Sequence, residues 1–87
     1  MNMSLTEKNV ELASEFSKYI FDHPELESRI PGDASIVLLP EYDKVLRSHN
    51  LKTGKQMEKG GKNVFYIRIK SLRPRVLSRI EHVAMGA

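Results

Sequence analysis

The sequence predicts a small two-layer α/β domain, with an N-terminal helix, a parallel βαβ unit and a C-terminal helix or strand. Three observations predict it. Residues 4–22 carry apolar side chains at helical spacing. Two short apolar runs, residues 35–39 and 63–70, are set off by Pro and Gly. Between them lies a stretch long enough for one helix, and a crossover of that length joins parallel strands, in the right-handed sense.

Each element has a local cause. Ser4 and Glu7 have the spacing of a capping box, in which each side chain accepts from the other's backbone N–H. Leu12, Phe16, Tyr19 and Ile20 then form an apolar stripe that Leu5, Val10 and Ala13 widen. Glu7, Glu11 and Glu15 stand on an outer face. Pro24 ends this helix at His23, because proline disfavours helical geometry in the residue before it. It can itself open a short helical turn over residues 24–29. The run Ser35-Ile-Val-Leu-Leu39 reads as a strand buried on both faces. Asp43 is an N-cap for a second helix reaching residue 59, with Val45, Leu46, Leu51 and Met57 as its apolar contacts and Gly60-Gly61 as its stop. In residues 63–70, Phe65, Ile67 and Ile69 line one face. Val64, Tyr66, Arg68 and Lys70 line the other, which reads as partly wet. Residues 75–85 fit helical spacing better than strand, although a third strand would thicken a two-stranded sheet.

Composition bounds the function. Eighty-seven residues make one domain, spanning 1–87. Forty per cent are hydrophobic and 29% charged, and no apolar run approaches the length of a membrane span. There is no cysteine, which excludes disulfides, thiolate metal sites and thiol nucleophiles and favours a reducing, cytoplasmic setting. No signal peptide is evident at the N-terminus. The charge is uneven. Residues 1–43 hold three basic groups against nine acidic, whereas residues 44–87 hold eleven basic against two. Two halves that neutralise each other on folding or on pairing are the plainer reading, and a basic surface for an anionic partner is the other.

The segments EFSKYIFDHPEL, IP, IVLLPEYD, NL and VFYIRIKSLRP resemble a family of short archaeal and bacterial proteins described as a domain of unknown function. IVLLPEYD and HPE carry most of the likeness, which spans about residues 9–75. The resemblance implies a small prokaryotic cytosolic protein with no assigned activity, and it transfers no functional residue.

Candidate chemistry is sparse. In a parallel sheet, ligands bind beyond the carboxyl ends of the strands, which places Glu41 and Asp43 beside the loop containing Arg73 and Arg75. Two carboxylates two residues apart are candidate ligands for a hard cation. The plainer reading has Asp43 capping the helix and Glu41 pairing with Arg73 or Arg75. Arg68, Lys70, Arg73, Arg75 and Arg79 are candidate binding residues for nucleic acid or an acidic protein, although no known nucleic-acid-binding signature accompanies them. His23 lies between Asp22 and Glu25, but a satisfied histidine is the plainer reading there too. No serine sits in a nucleophile motif, and no P-loop or dinucleotide-binding turn occurs. The expectation is a non-catalytic interaction or regulatory protein without a cofactor, forming a homo-oligomer and having no membrane partner. A nucleic-acid-associated regulator is the alternative, and a small metal-dependent enzyme stands behind it.

Overall fold

The computed structural model describes residues 3–74, 80 and 82–86. The elements run α1 (Leu5–Asp22), a 3-10 helix (Pro24–Arg29), β1 (Ser35–Pro40), α2 (Lys44–Lys59) and β2 (Val64–Ile69). The α/β class and the order helix, strand, helix, strand agree with the sequence. β1 and β2 pair in parallel from Ser35 opposite Val64 to Pro40 opposite Ile69. A backbone bond from the Glu41 N–H to the Ile69 carbonyl carries the ladder one step further.

The helix ends form as their residues dictate. Ser4 Oγ accepts from the Glu7 N–H at 3.1 Å, which satisfies one of the donors the first turn leaves open. The second half of the expected box takes another form: the Ser4 hydroxyl donates to the Glu7 carboxylate. Pro24 opens the 3-10 helix at a position where its missing N–H costs nothing. At the end of α2, Gly60 is the C-cap, and Gly61 takes φ +88°, a conformation that side chains with a Cβ rarely adopt.

One face of the sheet holds the core. Side chains alternate across a strand, so Val37 and Leu39 share a face with Tyr66 of the paired strand. That face meets α2 through Leu46, Asn50 and Gly54, the three buried residues of the helix, spaced four apart. Periodicity in hydropathy points to Val45, Leu51 and Met57 as well. Yet Val45 is 67% exposed, and Leu51 also faces outward. The true contact stripe contains an amide and a glycine, which carry no hydropathy signal. Gly54 is there because the Tyr66 ring occupies its flank: a Cβ at position 54 would sit 2.6 Å from Tyr66 Cε1. The expectation of a partly wet face holds: Tyr66 lies against α2 and donates its hydroxyl to Glu58, while Arg68 and Lys70 beyond it are exposed.

The opposite face is open. Ile36 pairs with Phe65 and Leu38 with Ile67 on that side, and Ile36 is 41% exposed. On this second face β1 is covered only toward its carboxyl end, where Leu38 is half-buried and Pro40 buried. The apolar run is long enough for double burial, but α1 does not lie across it. Ile80 and residues 82–86 belong to neither helix nor strand, and the helix-or-strand expectation for residues 75–79 lies outside the described residues.

Candidate functional site

α1 is fixed to the domain only through its first half. Leu12 is its single buried residue. Lys8 Nζ donates to Asp43 Oδ2 at 3.1 Å. Asn9 and Asn50 exchange amide hydrogen bonds of 2.9 and 2.8 Å, and Asn50 also donates to the Leu38 carbonyl. This arrangement satisfies the buried Asn50 side chain and locks helix, helix and strand at one point. Beyond Leu12 the helix departs from the sheet. Tyr19 and Phe21 are 52% and 85% exposed, although they belong to or border the helix's apolar stripe.

That departure leaves a cleft of about 1620 Å³ between α1 with the 3-10 helix on one side and β2 with residues 71–74 on the other. Phe16, Tyr19 and Ile20 line the helical wall, and Phe65, Ile67 and Ile69 line the sheet wall. The rim is charged, with cations along the sheet wall and a mixed but mainly acidic set along the helical wall. Glu7, Glu11, Glu15 and Asp22 border the helical wall together with Lys18 and Arg29, while Arg68, Lys70 and Arg73 border the sheet wall. Glu15 pairs with Lys18 within the helix, and Glu7 is bonded to Ser4. Lys70 and Arg73 form no ion pair with a described residue. A second hollow, of about 200 Å³, lies where Met3, Leu12, Leu46 and Leu72 meet Lys8 and Asp43. Size separates the two. Sites for small ligands run to about 300–1,000 Å³, so the hollow is too small and the cleft too large for one.

At the carboxyl edge of the sheet, Asp43 and Glu41 are each engaged by partners other than Arg73. Asp43 Oδ1 accepts from the Leu46 N–H at 3.1 Å as the N-cap of α2, and Oδ2 takes Lys8. These bonds, the capping N–H foremost, hold the Asp43 carboxyl below the usual carboxylate range. Glu41 pairs with Arg68 Nε at 3.5 Å, so its cation is Arg68 rather than Arg73. Tyr42 stands beside them, its hydroxyl pKa raised by burial and then by Asp43 and Glu11. No group of three or more His, Asp or Glu side chains suited to a metal ion occurs among the described residues. His23 stacks on Tyr19 at 4.2 Å, and its Nδ1 lies 2.9 Å from the Tyr19 carbonyl. A carbonyl only accepts, so the ring donates there and its Nδ1 carries the proton.

Of the basic candidates, Arg68, Lys70 and Arg73 reach the cleft rim together, and Arg75 and Arg79 lie outside the described residues. The apolar walls were missed as a site by reasoning from the sequence. Their signal was present as an excess: α1 carries a full apolar stripe, and so does the second face of β2. A single βαβ unit with one covering helix has no use for both.

No helix among the described residues is long and apolar enough to cross a membrane. No curated protein and no solved structure matches the chain. One family model does, over residues 4–83, which takes in both strands, both α-helices and the cleft. The chain belongs to that family, described as a family of unknown function, DUF5647.

Proposed function

We propose that this is a non-catalytic interaction protein whose working surface is the apolar cleft between α1 and the sheet. The observation that carries the reading is the second face of β2, where the half-buried Phe65, Ile67 and Ile69 border a wide opening that no element of the described residues fills. Contiguous apolar surface of that extent, rimmed by charge, marks interaction sites in folded proteins. The side-chain chemistry supports binding rather than turnover. The carboxylates at the sheet edge are engaged by a helix N-terminus and by cations, and His23 is engaged by Tyr19. A regulatory role exercised through association, in the reducing cytoplasm of a prokaryotic cell, fits the cysteine-free composition.

The test uses an apolar dye, anilinonaphthalene sulfonate, with the NMR signals of the folded protein as the readout. Dilute protein is expected to bind the dye with shifts confined to the cleft walls and to lose binding when Ile67→Glu is introduced. Dilute protein that keeps its dispersed spectrum and ignores the dye would remove the reading.

A second reading rests on Lys70 and Arg73, two cations beside Arg68 that form no ion pair among the described residues. They support a nucleic-acid-associated regulator held through phosphates. Its affinity for a mixed-sequence oligonucleotide would fall steeply with salt and disappear in a chain carrying K70E and R73E. Absence of binding at low salt would dispose of it.

A further inference from the structure

Resting on the reading of the cleft as a docking surface, we infer that its occupant is a second copy of this chain in a two-fold arrangement. The second half of α1 in each copy, carrying Glu15 and Asp22, lies on the apolar sheet face and basic rim of the other.

Three observations lead there. The first is area. A folded monomer of 10.0 kDa should expose about 5,200 Å². This chain exposes 7609 Å². The excess, roughly 2,400 Å², is spread over the whole chain, C-terminal segment included, and leaves room for the ~800 Å² that each partner contributes to a stable interface. Only Leu12, Val37, Leu39 and Leu46 are buried apolar side chains among the described residues, Pro40 apart, which is little core for a domain of this length. An interface would supply the rest.

The second is charge. Glu15 and Asp22 stand on the helical wall of the cleft, and Lys70 and Arg73 on the sheet wall. A partner that satisfies both walls must offer a basic rim to the first and an acidic helix to the second. Another copy of this chain carries both features. A two-fold axis then repeats each contact, because in such an interface residue i meets j and j meets i.

The third is the form of the gap. The splayed half of α1 leaves its own sheet face and its own stripe only partly covered, so one copy holds both halves of the missing contact. Two chains exchanging these faces cover both stripes at once. Among the described residues the sheet has two strands, an arrangement marginal by itself and stabilised by packing on its second face.

The experiment is a charge swap read by sedimentation at tens of micromolar. Wild-type chain is expected to sediment as a dimer. A chain with E15K and D22K has two basic walls, and a chain with K70E and R73E has two acidic ones. Each alone is expected to dimerise at least about tenfold more weakly, since like charges then face each other. Mixed in equal amounts, the two variants are expected to associate as tightly as wild type, because every wall meets its opposite. Both variants place their changes on exposed residues, and circular dichroism checks that each is folded. Dimers indifferent to the reversals would overturn the arrangement. A wild-type chain that stays monomeric while the dye shifts the cleft signals would overturn the second copy and leave the docking surface standing. A monomer that also ignores the dye would overturn both.

Discussion

The two faces of the sheet are made from the same two strands, yet they differ in everything that decides stability. On the α2 side, Val37 and Leu39 are each 7% exposed, Leu46 is 2% exposed, and Asn50 has its amide satisfied by Asn9 and Leu38. On the other side, Ile36, Phe65, Ile67 and Ile69 are at least as apolar and are only partly covered. Hydrophobicity alone therefore does not explain which face is core. The difference lies in what the chain brings to each face: a sixteen-residue helix tethered at both ends to the strands, or a helix anchored at one end through Lys8, Asn9 and Leu12. A tethered crossover has little choice but to lie on its sheet, whereas a helix anchored only through Lys8, Asn9 and Leu12 leaves its second half uncommitted.

The comparison can be broken by deleting side chains on each face. Leu46→Ala is expected to lower stability by about 2–5 kcal/mol, the usual loss for a well-packed leucine. Ile67→Ala, measured by urea unfolding in dilute protein, is expected to cost under about 1.5 kcal/mol because less of its surface is buried there. Equal losses would mean that the faces are equivalent. Asn50→Ala is expected to cost about 1–3 kcal/mol, since it strips partners from Asn9 and from the Leu38 carbonyl. It should also loosen α1, visible as faster amide exchange over residues 5–12 than over α2.

Gly54 sharpens the same contrast. Gly54→Ala gains about 1 kcal/mol of helix propensity but must displace the Tyr66 ring, a crowding that typically costs about 1–3 kcal/mol. The net change is expected to be destabilising in wild type and stabilising in a Tyr66→Ala background. The same sign in both backgrounds would show that the close approach is immaterial.

The smallest effect concerns pH. Asp43 has a lowered pKa in the folded state, first through the Leu46 N–H and then through Lys8. A depressed carboxyl contributes stability that is present above its unfolded pKa and lost as pH falls through the folded value. Acid unfolding monitored by circular dichroism should therefore begin at higher pH in Asp43→Asn, whose side chain still caps the helix but has no charge for Lys8. An unchanged acid midpoint would show that the charge is irrelevant.

Much of the fold is legible in the residues themselves. Ser4, Pro24, Asp43 and Gly60-Gly61 mark element ends because capping and chain-breaking chemistry is local, and all of them act where expected. The packing stripe of α2 is not legible, since Asn50 and Gly54 earn their places by a hydrogen bond and by the absence of a Cβ. The double burial expected of β1 is met only toward its carboxyl end, for a related reason. An apolar run states that a strand will be covered and does not say by which chain. The site follows the same division. Asp43 as a cap can be read from its position, while the cleft depends on where α1 stops touching the sheet, a property of three tertiary contacts.

The absence of cysteine makes the central contrast directly measurable. Single thiols placed by Val37→Cys and Ile67→Cys report the two faces separately through their reaction with a disulfide reagent at rising protein concentration. The thiol at position 37 is expected to stay protected throughout. The thiol at position 67 is expected to react readily in dilute protein and to become protected as the chain associates. A thiol at 67 that is shielded at every dilution would mean that the chain covers its own open face, and the account would be wrong.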